Sequence, residues 1–354
     1  MGWDSQDDPT NPRNFSNKRK WTLLSLISAI TFVSPLTSSI LAPGIPFVNK
    51  DFGNHSQLLG SFAVSVYILG FAVGSLLLSP LSEIYGRCIV MNSANTFFCC
   101  FTLGCALAPS LGELIAMRFF AGIGGSACLT IATGVIADMF VPEQRGKAVA
   151  LYSMGILFGP ILGPICGGFI AQEVGWRWDM WVVLIVGCLF TGGLIVFNKE
   201  TYHPVLLNRK TLRLRKELGL PELQNIMTYE KGAAPSSPFK ILKHGIVRPL
   251  KLLTTSPIIL FCSLYMSFLF GLLYLLLTTI TSVFVQTYRW SPAFTGLAYL
   301  GVGGGSFIGV IFIARTSDAT ILRLAKKNKG IYEPEMRLPL CVFFGALVPI
   351  AFFM

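Results

Sequence analysis

Residues 114–126 read LIAMRFFAGIGGS, an apolar and glycine-rich run with a single cation, Arg118, in its middle. A guanidinium at the centre of a membrane span costs at least ~2.5–3.5 kcal/mol on insertion scales. Arg118 must therefore face a cavity, a water column or a hydrogen-bonding partner, unless it snorkels to an interface as a purely structural cation. Gly122, Gly124 and Gly125 follow it and permit close contact with neighbouring helices.

The rest of the chain extends this pattern. Of 354 residues, 53% are hydrophobic and 13% charged, against about 25% charged in a soluble domain. Mean hydropathy is +0.64, which excludes a pair of ordinary cytosolic domains. Apolar stretches near 22–48, 58–79, 89–108, 113–134, 148–171, 177–197, 256–287 and 292–313 are long enough to span a bilayer, and another begins near Leu338. The expected fold class is an all-α integral membrane protein. Its parts are a tail over 1–21, a six-helix bundle over 22–197, a polar and basic linker over 198–255, and a partial second bundle over 256–354 holding spans seven, eight and part of nine.

The formal net charge of +11 would suit nucleic acid or an anionic membrane face, and its distribution decides. With the tail inside, inner segments hold 24 Lys and Arg, outer segments hold Lys50, Arg177 and Arg289, and Arg118 lies within a span. The positive-inside rule accounts for this asymmetry without nucleic acid and puts the N-terminus in the cytoplasm.

Two further strings stand out. Residues 79–88 read SPLSEIYGRC, where Glu83 and Arg87 are four apart and so share a face if the segment is helical, while Gly86 allows a tight turn. Residues 155–169 read GILFGPILGPICGGF: Gly155, Gly159 and Gly163 recur every fourth residue and make a groove for another helix, and Pro160 and Pro164 remove backbone donors.

Together these strings resemble the signature motifs of the major facilitator superfamily, in particular the twelve-span fungal drug:proton antiporter group. SPLSEIYGR resembles its loop 2–3 motif, with Glu83 where many members carry Asp and Cys88 in place of a second basic residue. LIAMRFFAGIGGS resembles the fourth-span motif, with Ala121 where Gln is common. GPILGPICGG resembles the fifth-span antiporter motif through Gly159, Gly163, Pro164, Gly167 and Gly168. The strings DPTNPRNFSNKRKW, GWRWDMW and KETYHPVLLNRK are also similar to the fungal group, as is IADMFVPEQRGKAVA, which carries the inner charges Asp138, Glu143 and Arg145. SPLSE, ending at Glu83, and ARTSD, ending at Asp318, sit in corresponding inner loops of two parallel halves.

The resemblance implies proton-coupled export of a small organic molecule by two rocking bundles, in a monomer of the plasma membrane. It implies proton coupling by Arg118, and an inner gate of Glu83, Gly86, Arg87, Asp138, Glu143, Arg145 and Asp318. Gly159, Gly163, Pro164, Gly167 and Gly168 would form an interface sealed against leak. Tyr265 and Tyr274 are candidate pocket residues, with packing roles the plainer reading. Relative to the twelve-span pattern, three whole spans and most of the ninth are missing, and the 354-residue chain is expected not to transport by itself; a truncated gene model is favoured over a nonfunctional relative. A ligand-binding sensor that does not transport is the alternative.

Other chemistries find little support. No GxxxxGK[ST] phosphate loop occurs, so nucleotide-driven pumping is not expected. Asp51–Phe52–Gly53 matches a kinase triplet by accident, in an outer loop. The three His and nine Cys have no zinc-type spacing, the odd Cys count argues against a fully paired disulfide framework, and no Ser/His/Asp set suggests an enzyme. No cofactor is expected.

Overall fold

The computed structural model describes residues 8–219, 238–327 and 345. The N-terminal bundle consists of α1 (Asn17–Ile40), a short α2 (Ile45–Asp51), α3 (Gln57–Tyr85), α4 (Arg87–Leu107), α5 (Leu111–Met139), α6 (Pro142–Glu173) and α7 (Arg177–Phe197). Among the described residues of the segment 198–255 are two helices, α8 (His203–Leu218) and α9 (Pro238–Thr255). Beyond it come α10 (Pro257–Gln286), the single turn α11 (Pro292–Thr295) and α12 (Tyr299–Lys327). The described residues fall into two compact units, one ending at Tyr299 and one beginning at Leu300.

Local sequence sets the ends of these helices. Ser16, Ser56 and Ser110 each accept a hydrogen bond from the backbone N–H three residues on, which satisfies one orphan donor of α1, α3 and α5. Proline opens α6 and α10, where its missing N–H costs nothing. The apolar run expected at 22–48 is broken: α1 stops at Ile40, and Pro43 and Gly44 lead into the separate α2. The run at 292–313 also differs, because α11 and a 3-10 turn, Gly296–Ala298, precede α12, and the apolar stretch Gly296–Phe312 is shorter than a full span.

Among the described residues, seven helices are long and apolar enough to cross a membrane: α1, α3, α4, α5, α6, α7 and α10. Helix α1 is the most enclosed, with 72% of its central window buried against 28% for α7. It packs along α6, while α5 packs on α3 and α4. Leu23, Ile27, Met91, Ile131 and Tyr152 fill one core layer, and Val33, Tyr67, Phe98 and Met180 fill another. Ile185, Leu189 and Val196 on α7 point outward and are well exposed. Such an outward apolar face suits hydrocarbon, where helices satisfy their backbone groups internally.

Candidate functional site

Arg118 lies seven residues into α5, about 10 Å along its axis. It is 1% exposed. Its Nη2 donates to the carbonyls of Thr37 (3.1 Å) and Ser38 (3.2 Å). These belong to the last turn of α1, whose carbonyls have no partner within the helix. The guanidinium therefore caps α1 from the side, through charge-assisted hydrogen bonds worth ~1.5–3 kcal/mol each. Its face also lies 5.4 Å from the Tyr67 ring, and Nη1 points to the Met180 sulfur at 3.9 Å. Each glycine after Arg118 receives a different helix. A side chain at Gly122 would strike the Tyr67 carbonyl of α3, at Gly124 the Ala94 carbonyl of α4, and at Gly125 the Ser34 hydroxyl of α1. The close contacts fix the position of Arg118 beneath α1.

Beside Met180, in the first turn of α7, is Asp179. It is fully buried, and among the described residues neither carboxylate oxygen has a hydrogen-bond partner. Arg118 Nε is likewise unpartnered. A sequence reading centred on Arg118 passes over Asp179, an acid in the first turn of the apolar run 177–197. From the other side, Ser38 joins this group to α10: its carbonyl accepts from Arg118, and its hydroxyl lies 3.0 Å from the Tyr274 hydroxyl. Tyr265 is exposed.

At the opposite end of α5, Arg87 Nε pairs with Asp138 Oδ2 at 2.9 Å. The guanidinium rests in the space left by Gly134 and faces the Tyr202 ring at 5.1 Å. Arg145 donates to the carbonyls of Ala137 (2.7 Å) and Phe140 (3.0 Å), capping α5. The expected helical pairing of Glu83 with Arg87 is not formed. Gly86 adopts φ +103°, which ends α3 and turns the chain before α4 starts at Arg87, so the two residues are on different helices. The side chains of Glu143 and Asp318 lie outside the described residues.

Glu200, which a motif reading does not single out, is the anchor here. Its carboxylate accepts from the backbone N–H groups of Arg87 (2.9 Å) and Cys88 (3.3 Å) at the start of α4, and from those of Thr201 (3.1 Å) and Tyr202 (2.9 Å). A negative charge at a helix N-terminus satisfies orphan donors and the helix dipole together. A side chain at Gly86 would collide with this carboxylate. Glu200→Gln keeps the shape but loses the charge, and we expect it to lower stability by about 1 kcal/mol, read as a fall in melting temperature of the purified protein. An unchanged melting temperature would show that the carboxylate does not anchor α4.

At the end of the bundle near α2, Arg177 pairs with Asp51 Oδ2 at 2.5 Å, and the Trp176 indole N–H donates to the same oxygen at 3.2 Å. The hydrogen bond from Arg177, then that from Trp176, holds the Asp51 carboxyl below its ordinary value of 3.8. The pair's small stabilisation is therefore present above that value and lost as pH falls through the depressed one. Both side chains are about two-fifths exposed, which limits the effect to below about 1 kcal/mol.

The glycine column of α6 faces α1. A side chain at Gly159 would lie 2.7 Å from the Phe32 carbonyl oxygen, and at Gly163 2.7 Å from that of Leu36. At Gly167 it would strike the Ile40 carbonyl. Pro164 and Gly168 are buried beside this column.

Comparison with known proteins places the architecture. The family model described as Major Facilitator Superfamily matches residues 27–354. The chain belongs to the major facilitator superfamily. It is 47% identical over its whole length to the MFS-type transporter penM of Penicillium rubens, of which it spans 68%, and 42% identical to the efflux pump radE of Floropilus chiversii, of which it spans 65%. The partially occluded, inward-open xylose transporter XylE of E. coli aligns with 86% of this chain and 72% of its own at a TM-score of 0.62, with 18% identity, a likeness of fold. The major facilitator chain is thus an integral membrane protein of a transporter family, not an enzyme.

Proposed function

We propose that this protein exports a small organic molecule in exchange for protons, by alternating access between two helix bundles. The observation that carries the reading is two ionisable groups buried in the same bundle: Asp179, with no hydrogen-bond donor among the described residues, and Arg118, whose Nη1 reaches the neighbouring Met180 and whose Nε has no partner among them. Charged groups held inside a membrane bundle mark ion or substrate pathways. Arg118 relays the state of Asp179 to α1, and Ser38 passes it to Tyr274 on α10. The pair Arg87–Asp138, with Arg145 and Glu200, holds the inner helix ends, and Glu83, Glu143 and Asp318 belong to the same gate. Gly159, Gly163, Pro164, Gly167 and Gly168 keep α1 and α6 sealed. The likeness to the efflux pump of Floropilus chiversii supports export.

The experiment is flux in vesicles. A form extended to the length of its relatives should move substrate against its gradient when a pH gradient is imposed; flux insensitive to that gradient sinks proton coupling, and ligand binding without flux supports a sensor instead.

We further propose a plasma-membrane location with a cytoplasmic N-terminus and inner segments 198–255 and 315–337, on the strength of the charge asymmetry. On a Cys-free background, single Cys residues placed near 215 and 325 should escape an impermeant thiol reagent applied to intact cells. Strong labelling there would overturn the topology.

A further inference from the structure

Helix α9 has a composition unlike the spans. Lys240, Lys243, His244, Arg248 and Lys251 fall within an arc of about 140° at 3.6 residues per turn, and PFKILKHGIVRPLKLLTT contains no acid. Lys243, His244, Arg248 and Lys251 are exposed, as are the apolar Val247, Leu250 and Leu252. Only Ser256 separates α9 from the membrane-spanning α10, which holds α9 at the bilayer surface. A basic, amphipathic helix in that place meets headgroups and acyl chains together.

The helix docks on α3 at one close point, where a side chain at Gly245 would lie 2.6 Å from Pro80 Cβ. Beside this contact is a groove of about 790 Å³ between the end of α3 and α9. Leu76, Leu252 and Ile259 line its apolar wall, and His244, Arg248 and Glu83 its polar side.

We propose that this groove is a binding site for an anionic phospholipid of the adjacent leaflet. The phosphate sits on Arg248 and His244, with Lys243 and Lys251 adding field, and the acyl chains run along Leu76, Leu252 and Ile259. Charge complementarity selects an anionic headgroup. The Glu83 carboxylate in the same space opposes a small free anion, so the apolar wall is required for binding. The site shares Glu83 with the proposed inner gate, but its test reads lipid binding alone and needs neither proton coupling nor transport.

The test uses the purified chain in detergent, titrated with dioctanoyl phosphatidylserine, dioctanoyl phosphatidylcholine and inorganic phosphate, and read by native mass spectrometry. Phosphatidylserine should be retained and the other two not. His244→Gln with Arg248→Gln should weaken phosphatidylserine retention at least tenfold with unchanged melting in lipid-free detergent. Leu252→Trp, which fills the groove and keeps every cation, should weaken it as much. Equal retention of phosphatidylcholine, binding of phosphate alone, or full retention by either variant would overturn the proposal.

Discussion

Leucine at Gly163 or Gly167 is expected to prevent assembly of the N-terminal bundle. Even a methyl group at Gly167 meets the Ile40 carbonyl, and one at Gly163 sits 2.7 Å from the Leu36 carbonyl and 3.1 Å from the Ile40 nitrogen. Backbone atoms cannot rotate aside as a side chain does, so α6 must move as a whole or separate from α1. Overpacking of a side-chain core costs ~1–3 kcal/mol, and a clash with backbone lies at the upper end or beyond. We expect the purified variants to aggregate or to melt well below the parent, as read by size exclusion and thermal denaturation. Gly192→Ala is the matched control, because a side chain there meets nothing within 4 Å. Parent-like melting of Gly167→Leu would show that the α1–α6 seam is not as close as described.

Arg118 and Asp179 should respond in opposite ways. Arg118→Ala strips the partner from two carbonyls at the end of α1, and a buried polar group left unsatisfied costs about 1–3 kcal/mol. Arg118→Lys keeps a cation but loses the planar fork that reaches Thr37 and Ser38 together; expression should stay near normal while pH-driven flux falls. Asp179→Asn breaks no hydrogen bond among the described residues, since neither oxygen makes one there. Its melting temperature should hold or rise, while pH-driven flux drops by about tenfold or more. Flux that keeps its dependence on the pH gradient in Asp179→Asn would remove this residue from coupling.

Much of the architecture is legible in residue types. The long apolar runs mark the spans of the N-terminal bundle, and the four-residue glycine spacing around Gly159 and Gly163 marks a helix interface. Arg118 declares itself by the cost of burying a guanidinium. What local pattern cannot supply is which partner a charge finds through space. Glu83 and Arg87 have helical spacing, yet the positive φ of Gly86 separates them, and Arg87 reaches Asp138 on α5. Glu200 meets the start of α4 across more than a hundred residues of chain. Asp179 sits close to the aromatic end of a span, where an acid is easily taken for a boundary residue. The break after Ile40 is hidden because Pro43 and Gly44 interrupt a run that stays apolar on both sides.

The seam between α1 and α6 also bears on how such a protein diversifies. Across it, the glycines of α6 meet mainly carbonyl and amide atoms of α1 at Ser28, Phe32, Leu36 and Ile40, and every amino acid except proline offers the same two backbone groups. The identities of α1 side chains are therefore only loosely tied to the glycines opposite. Mutational drift can retune α1 toward new cargo while the joint stays intact, whereas the glycine column tolerates almost no change. Within a lineage, α1 should record adaptation and α6 should record constraint.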